Sequence, residues 1–361
     1  MVWQMDAWPA EAGFRGINRA KNARTLAVAR CPKLRFDFRR NTLLKNFARL
    51  AMVFAPFALA SLASAAQLST DARGAIPHDI QQLVVIDYRA MQNSAAAMSL
   101  RDRVMPPELR QFDEALRKSG LNDNHDVDQL AFALYRPNNA QADVVQIVGI
   151  AQGQFDVEGI MANFRKQKLR ATLHRTNRIY PMTKAGLVLC FVDPSTMIFG
   201  QKESVVKALD VRDGLAQGML SNGVMMDAMR SVDSEPLWSI LDNAGTQTMM
   251  KQLLGEAGSI ADYDTIRKRL ESSWYSMNFT HGVKFALTIQ TGDTFAAATV
   301  SSLLNAAVLV RKMSGAEAEK AALSNTTVSS SAGKLNVRFA ANDSEFSNLL
   351  QSSLFKSVVA R

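Results

Sequence analysis

Cysteine and histidine are scarce in this sequence, which has two Cys and four His among its 361 residues. Two cysteines cannot form the several bridges of a small disulfide scaffold. None of the histidines lies within four residues of another, so no local zinc motif such as H-E-x-x-H is present. The sequence also contains no C-x-x-C pair, no Gly-rich phosphate loop and no G-x-S-x-G elbow. We therefore predict no cofactor.

Long apolar runs are nearly absent as well. Residues 50–62 form the one stretch that we identify as approaching membrane-spanning length, which excludes a polytopic membrane protein. The apolar fraction of 47% and the charged fraction of 21% are those of an ordinary globular protein. The length predicts two or three domains.

Positive charge is unevenly distributed along the chain, whose formal net charge is +9. Residues 1–65 hold 11 of the 42 Lys/Arg and 3 of the 33 Asp/Glu, which leaves 31 basic and 30 acidic side chains elsewhere. The body of the protein is therefore close to neutral. A near-neutral body without interleaved basic and aromatic residues argues against nucleic-acid binding.

The N-terminal region has the three parts of a secretory signal peptide. Basic residues between positions 39 and 49 precede an apolar run, and the A-x-A triplet at 63–65 follows it. We predict a signal peptide over residues 39–65, cleavage near Ala65 and a periplasmic or secreted mature protein. The alternative is an inner-membrane anchor formed by residues 50–66. We interpret residues 1–38 as a start-site artefact or a cytoplasmic extension.

Apolar periodicity in the rest of the chain predicts strands that alternate with helices. The same order of elements occurs twice, and an offset of 139 or 140 residues pairs Ile150 with Ile289 and Gly153 with Gly292. We predict an α+β fold of two similar β-α-β-β-α-β-β-α units, with mainly antiparallel sheets and helices on one face. The predicted units span residues 76–215 and 234–356, and a Met/Gly-rich connection spans 216–233.

Several segments resemble a family of exported bacterial proteins of unassigned function. These are GLNDNHDVDQLAFALY, VVQIVGIAQG, AGLVLCFV, MIFGQKESVVKAL and LSNGVMMDAM, within residues 76–240. The resemblance implies an extracytoplasmic location and a duplicated α+β domain. It implies no catalytic residues, because the family has no assigned activity.

An Asp/Asn-rich loop is the strongest metal candidate in the sequence. Oxygen-bearing side chains alternate along it as in a calcium-binding loop, and calcium is abundant outside the cytoplasm. The alternative is that these side chains cap the local backbone, because the loop lacks the Gly at position six and the Glu at position twelve. The candidate ligands are Asn122, Asn124, Asp126 and Asp128.

One basic segment stands out in the near-neutral body, because residues 165–184 contain no Asp or Glu. It could meet an anionic envelope component or a membrane surface. Alternatively, its charges stabilise a helix C-terminus and protect an edge strand from aggregation. The basic side chains are Arg165, Lys166, Lys168, Arg170, Arg175, Arg178 and Lys184.

Three short motifs test for a serine hydrolase of the penicillin-interacting type. They are S-x-x-K at Ser204, S-x-N at Ser276 and K-S-G at Lys118, but their order along the chain is reversed. The sequence therefore favours an extracytoplasmic binding or cell-envelope protein. It leans towards a non-enzymatic protein and leaves the question of enzymatic activity open. The alternative is an exported hydrolase whose site is assembled from distant residues. The ligand and the oligomeric state are left open.

The signal-peptide prediction can be tested directly. We expect N-terminal sequencing of the protein from an extracytoplasmic fraction to find a mature chain that starts near Ala66, because signal peptidase cleaves after A-x-A. Recovery of a soluble cytoplasmic protein that starts at Met1 would contradict this prediction.

Overall fold

The computed structural model describes residues 67–135, 146–254, 266–352 and Phe355. The predicted signal segment, the region before it and the tip of the first predicted hairpin lie outside these residues. Twelve strands form one sheet in which every neighbouring pair is antiparallel. The strands are β1 (Gln82–Asp87), β2 (Val127–Tyr135), β3 (Gln146–Gly153), β4 (Thr172–His174), β5 (Asn177–Pro181), β6 (Leu187–Asp193), β7 (Thr196–Gln201), β8 (Leu237–Leu241), β9 (Leu270–Asn278), β10 (Val283–Thr291), β11 (Thr326–Ser331) and β12 (Lys334–Ala341).

The described helices lie between the strands and are capped mainly by side chains, as with Asp156 before α6 and Asp293 before α10. They are α1 (Thr70–Gly74), α2 (Tyr88–Gln92), α3 (Ala95–Val104), α4 (Pro107–Lys118), α5 (Asp123–Asp126), α6 (Val157–Lys166), α7 (Lys202–Arg212), α8 (Gly223–Arg230), α9 (Asn243–Leu254), α10 (Thr294–Ser314), α11 (Glu317–Ser324) and α12 (Asp343–Gln351). A 3₁₀ turn, Met219–Ser221, precedes α8.

The order of strands across the sheet is β11-β12-β10-β9-β8-β1-β2-β3-β7-β6-β5-β4. Strands β1–β7 therefore form one half and β8–β12 the other, and the halves meet where β1 pairs with β8. The α+β fold and the antiparallel pairing are confirmed. The two predicted units share one continuous sheet, which differs from the separate sheets expected from the sequence.

Both halves contain the order β-α-β-β-α-β-β-α, with the β4–β5 hairpin inserted in the first half and α11 in the second. The residue pairing proposed from the sequence is wrong in detail. Strand registers place Ile150 and Ile289 on opposite faces of the sheet. A one-residue slip moves a side chain to the other face, and two short apolar strands can be aligned in either register.

The face of the sheet that carries Phe132 and Leu287 is called the front face here, and the face that carries Ala131 and Ala286 is the back face. In the first half, α4 and α6 cover the front face. The Phe199 ring stacks on Phe112 of α4 at 4.9 Å between centroids and meets the edge of Phe132 at 5.9 Å. These rings leave room only for a glycine at position 149 of β3.

Helices α1 and α7 cover the back face of the first half, and α8 packs on the back face of β8 and β9. Val205, Ala208 and Leu209 of α7 are fully buried against β3, β6 and β7. Cys190 lies in this core, and burial raises the pKa of its thiol to about 11. The thiol is therefore a small core side chain.

In the second half, α9, α10 and α12 pack on the front face, where Val300, Leu304 and Phe346 are buried. Helix α12 follows β12 as α7 follows β7, yet the two helices lie on opposite faces of the sheet. None of the described helices covers the back face of β10, β11 and β12, whose residues there are polar or alanine. The predicted arrangement, with helices on one face of the sheet only, is therefore found at β10, β11 and β12.

Substitution of Gly149 tests the packing of the first half. An added Cβ would lie 2.3 Å from the Phe199 ring, so we expect Gly149→Ala to lower the free energy of unfolding by about 1–3 kcal/mol in chemical denaturation. Gly223→Ala is the control, because a Cβ there meets nothing within 4 Å and helix propensity favours alanine. Equal stability of the two variants would contradict this packing.

Candidate membrane-binding surface

Helix α10 starts and ends at defined caps. The Asp293 side chain accepts a hydrogen bond of 2.6 Å from the backbone N–H of Ala296. This bond, together with the nearby Arg269 guanidinium, lowers the pKa of the Asp293 carboxyl. Arg311 and Lys312 lie in the last turn, where positive charge favours the helix dipole, and the helix stops before Gly315.

One side of α10 packs on the front face of the sheet. Ala296, Ala297, Val300 and Leu304 are buried, and the last two contact the core around Leu287 and Ile289. The buried positions fall mainly in the first half of the helix. Asn305, Ala306 and most residues after them are exposed.

The other side of α10 presents an uncharged stripe to solvent. Phe295, Leu309 and Met313 are 73%, 60% and 78% exposed, far more than large apolar side chains in a core. Ser302 interrupts the stripe, but its hydroxyl donates to the Ala298 carbonyl at 3.0 Å and is already hydrogen-bonded within the helix. From Phe295 to Met313 the exposed stripe is about 27 Å long at the helical rise.

By length and composition α10 could cross a membrane. Residues Thr294–Met313 have a mean hydropathy of 1.4, and only 28% of the window is buried. The sequence predicts a helix over residues 294–313, but its exposure was not predicted. The signal that could have corrected this is the lack of any charged residue between Thr294 and Val310.

Most of the predicted basic segment surrounds the C-terminal end of α6, on the front face. Arg165 and Lys166 end the helix, and Lys168 and Arg170 follow in the connection to β4. Arg178 of β5 shares the front face with Tyr180, according to the β5–β6 register. These side chains and that of Lys184 are exposed.

Arg175 separates from this group. It lies in the β4–β5 turn, and its guanidinium contacts the carboxylates of Asp210 at 2.8 Å and Asp213 at 3.3 Å. His174 also contacts Asp210, at 2.9 Å. Hydrogen bonds from Arg212, and secondarily Arg175, lower the pKa of Asp213. Both carboxylates belong to the end of α7 on the back face, so Arg175 adds little to the front-face group.

The predicted calcium loop is folded by its own hydrogen bonds. The Asp126 carboxylate accepts a 2.7 Å bond from the backbone N–H of Asn122 and contacts the His125 ring at 3.0 Å. Asp128 forms an ion pair with Arg89. Asn124 belongs to the one-turn helix α5. Within the described residues, no group of three or more His, Cys, Asp or Glu side chains could hold a metal.

The three serine motifs do not converge. Ser204 is fully buried in α7 on the back face, while Ser119 is fully buried at the end of α4 on the front face. Lys207, the lysine of the S-x-x-K motif, contacts Asp79 at 2.6 Å and lies over the Tyr135 ring. A Ser119–Ser204 site would need both serines on one side of the sheet. Two grooves on the described surface, one lined by Glu235 and one by Asp156, each contain a single carboxyl group, so neither holds a carboxyl pair.

The wider groove lies on the uncovered back face of the second half and has a volume of about 740 Å³. Ser276 and Asn278 of β9, Lys284 of β10 and Arg338 of β12 line it. Glu235 lines it too, and accepts a 3.2 Å hydrogen bond from the Asn278 side-chain amide. The groove therefore contains two exposed cations and one carboxylate, and Phe285 and Phe339 also line it.

Comparisons with known proteins give a similarity of fold only. No family model matches the chain, and no curated protein matches it. Solved structures of TP0453 are similar: crystal form I at 9% identity and a TM-score of 0.45, form III at 9% and 0.48, and form IV at 8% and 0.43. Forms I and III each cover 79% of this chain and 99% of TP0453, and form IV covers 78% and 96%. No function is transferred from these structures.

Truncation of two leucines tests which side of α10 is buried. We expect Leu304→Ala to lower the free energy of unfolding by about 2–5 kcal/mol, because it removes a buried side chain. Leu309→Ala should change it by less than about 0.5 kcal/mol, because Leu309 is exposed. Chemical denaturation of both variants in the absence of lipid measures the difference. A larger loss at Leu309 would show that the stripe is covered within the folded chain.

Proposed function

We propose that this chain is an exported, non-enzymatic protein of the cell envelope that binds an anionic membrane surface with its front face. The observation that carries the proposal is the exposure of α10, a helix with a mean hydropathy of 1.4 of which only 28% is buried. An exposed apolar stripe of this length marks an interaction site. The predicted signal peptide supports an extracytoplasmic location, where membrane surfaces are available.

The charges on the front face support a lipid surface as the partner. Helices α6 and α10 pack on the same face of one sheet. In this proposal the basic residues that follow α6 and the pair Arg311 and Lys312 meet phosphate headgroups while the stripe enters the interface. Each cation near an anionic membrane contributes about 1 kcal/mol.

Helix α10 fits a position on the membrane better than one across it. Its opposite side contributes Val300 and Leu304 to the core with β10, and spanning would remove both from that core. Peripheral binding leaves these contacts intact and inserts only the stripe. An interfacial helix lies in the plane of the headgroups in this way.

Sedimentation with vesicles tests the apolar part of the surface. For the mature protein and vesicles of mixed neutral and anionic phospholipid, we expect Phe295→Ser, Leu309→Ser and Met313→Ser together to weaken binding at least about tenfold. Full burial of each parent side chain contributes about 1.5–3 kcal/mol. The matched control removes three exposed apolar side chains outside α10, by Leu215→Ser, Leu220→Ser and Val224→Ser.

A second arm of the same experiment tests the charges. Arg165→Glu, Lys168→Glu and Arg170→Glu together should abolish binding to anionic vesicles at low salt, and high salt should weaken the parent protein similarly. Failure of the parent protein to bind, or equal loss in the control triple variant, would overturn the proposal. Self-association that depends on the stripe, without vesicle binding, would instead assign α10 to a contact between copies.

A further inference from the structure

The two halves of the sheet differ in what covers their back faces. In the first half, α7 packs Val205 and Leu209 onto apolar side chains of β3, β6 and β7. In the second half, the corresponding helix α12 lies on the front face, where Phe346 and Leu350 pack around Val283. None of the described helices covers the back face of β10 and β12, whose polar residues and alanines do not suit an apolar helix.

The open face holds two cations next to each other. Strand registers pair Lys284 with Ala340 and Ala286 with Arg338, so Lys284 and Arg338 are diagonal neighbours on one face. Such neighbours lie about 7–8 Å apart, and two like charges there repel each other. The short side chains of Ala286 and Ala340 lie beside them, and both cations are exposed.

Neither cation forms an ion pair in the described part of the chain, although the Glu235 carboxylate lines the same groove. Glu235, the acidic residue at the groove, is hydrogen-bonded to Asn278. An anion bound between the cations would offset their repulsion and form charge-assisted hydrogen bonds with both.

We infer that this groove binds an acidic oligosaccharide. The carboxylates of such a ligand would meet Lys284 and Arg338, and its hydroxyl groups would meet the hydroxyl and amide groups of Ser276, Asn278 and Thr327. Arginine is suited to a carboxylate, with which it forms two parallel hydrogen bonds. The volume of about 740 Å³ falls within the range of sites for small ligands.

Other anionic ligands fit this groove less well. Single-stranded nucleic acid needs aromatic platforms for its bases, but Phe285 and Phe339 at the groove have front-face registers. A lipid would need an apolar channel for its acyl chains, whereas the strand positions on the back face of β10 and β12 carry polar side chains or alanine. The groove lies on the face opposite to α10, so it is a second site, independent of the proposed membrane surface.

Calorimetry with trigalacturonate as the probe tests this site on the mature protein. We expect trigalacturonate to bind and its fully methyl-esterified form, which has the same rings without the charges, to bind at least about tenfold more weakly. Lys284→Gln and Arg338→Gln should each weaken binding about tenfold. Their free energies of unfolding should be unchanged or higher, because each removes one of two like charges.

Lys334→Gln is the matched control. Lys334 lies on the same face of β12, over the Trp274 ring and outside the groove, so its loss should change the affinity less than about twofold. The α10 triple variant should bind trigalacturonate like the parent protein, which separates this site from the membrane surface. No binding of trigalacturonate, equal binding of inorganic phosphate or of the methyl ester, or an equal effect of Lys334→Gln would overturn the inference.

Discussion

The pairing of β1 with β8 is the interaction on which the rest of the sheet depends. It joins the two halves, and residues from both meet beneath it. Gln82 of β1 donates hydrogen bonds to Ser239 of β8 and to Tyr275 of β9, at 3.0 and 3.3 Å. Burial raises the pKa of Tyr275, so the phenol stays neutral and hydrogen-bonded at the junction. This polar contact fixes the register of two strands that hydrophobic packing alone would leave free to slip.

The two halves of the sheet expose different surfaces. Both halves retain the same order of elements, and α6 and α10 occupy the front face in each. The last helices of the two halves, α7 and α12, lie on opposite faces of the sheet. No described helix therefore covers the polar back face of β10, β11 and β12. Helix α10 is also 21 residues long where α6 has 10, so its second half extends past the core and stays exposed.

Local elements were predictable from the sequence because strand and helix periods are local properties. Apolar periodicity predicts strands over residues 283–290 and 334–341 and a helix over 157–164, and these ranges lie within a few residues of β10, β12 and α6. Long-range pairing was not predictable, because no local pattern indicates that β1 pairs with β8. The exposure of α10 was missed because a helix that is apolar on most sides looks like a core helix. The basic segment was found, but Asp210 lies 35 residues from Arg175 and its ion pair depends on the fold.

The side chains of β10 alternate between the front face, where α10 packs, and the back face, where the groove lies. Leu287 and Ile289 support α10 from the front, while Lys284 and Ala286 of the same strand form part of the groove behind. The two surfaces are thus the two sides of a single layer of backbone. A shift of this strand would move both at once, whereas a rigid strand would leave their occupancies thermodynamically independent. Measuring the affinity for one ligand in the presence of the other would therefore report the stiffness of the sheet itself.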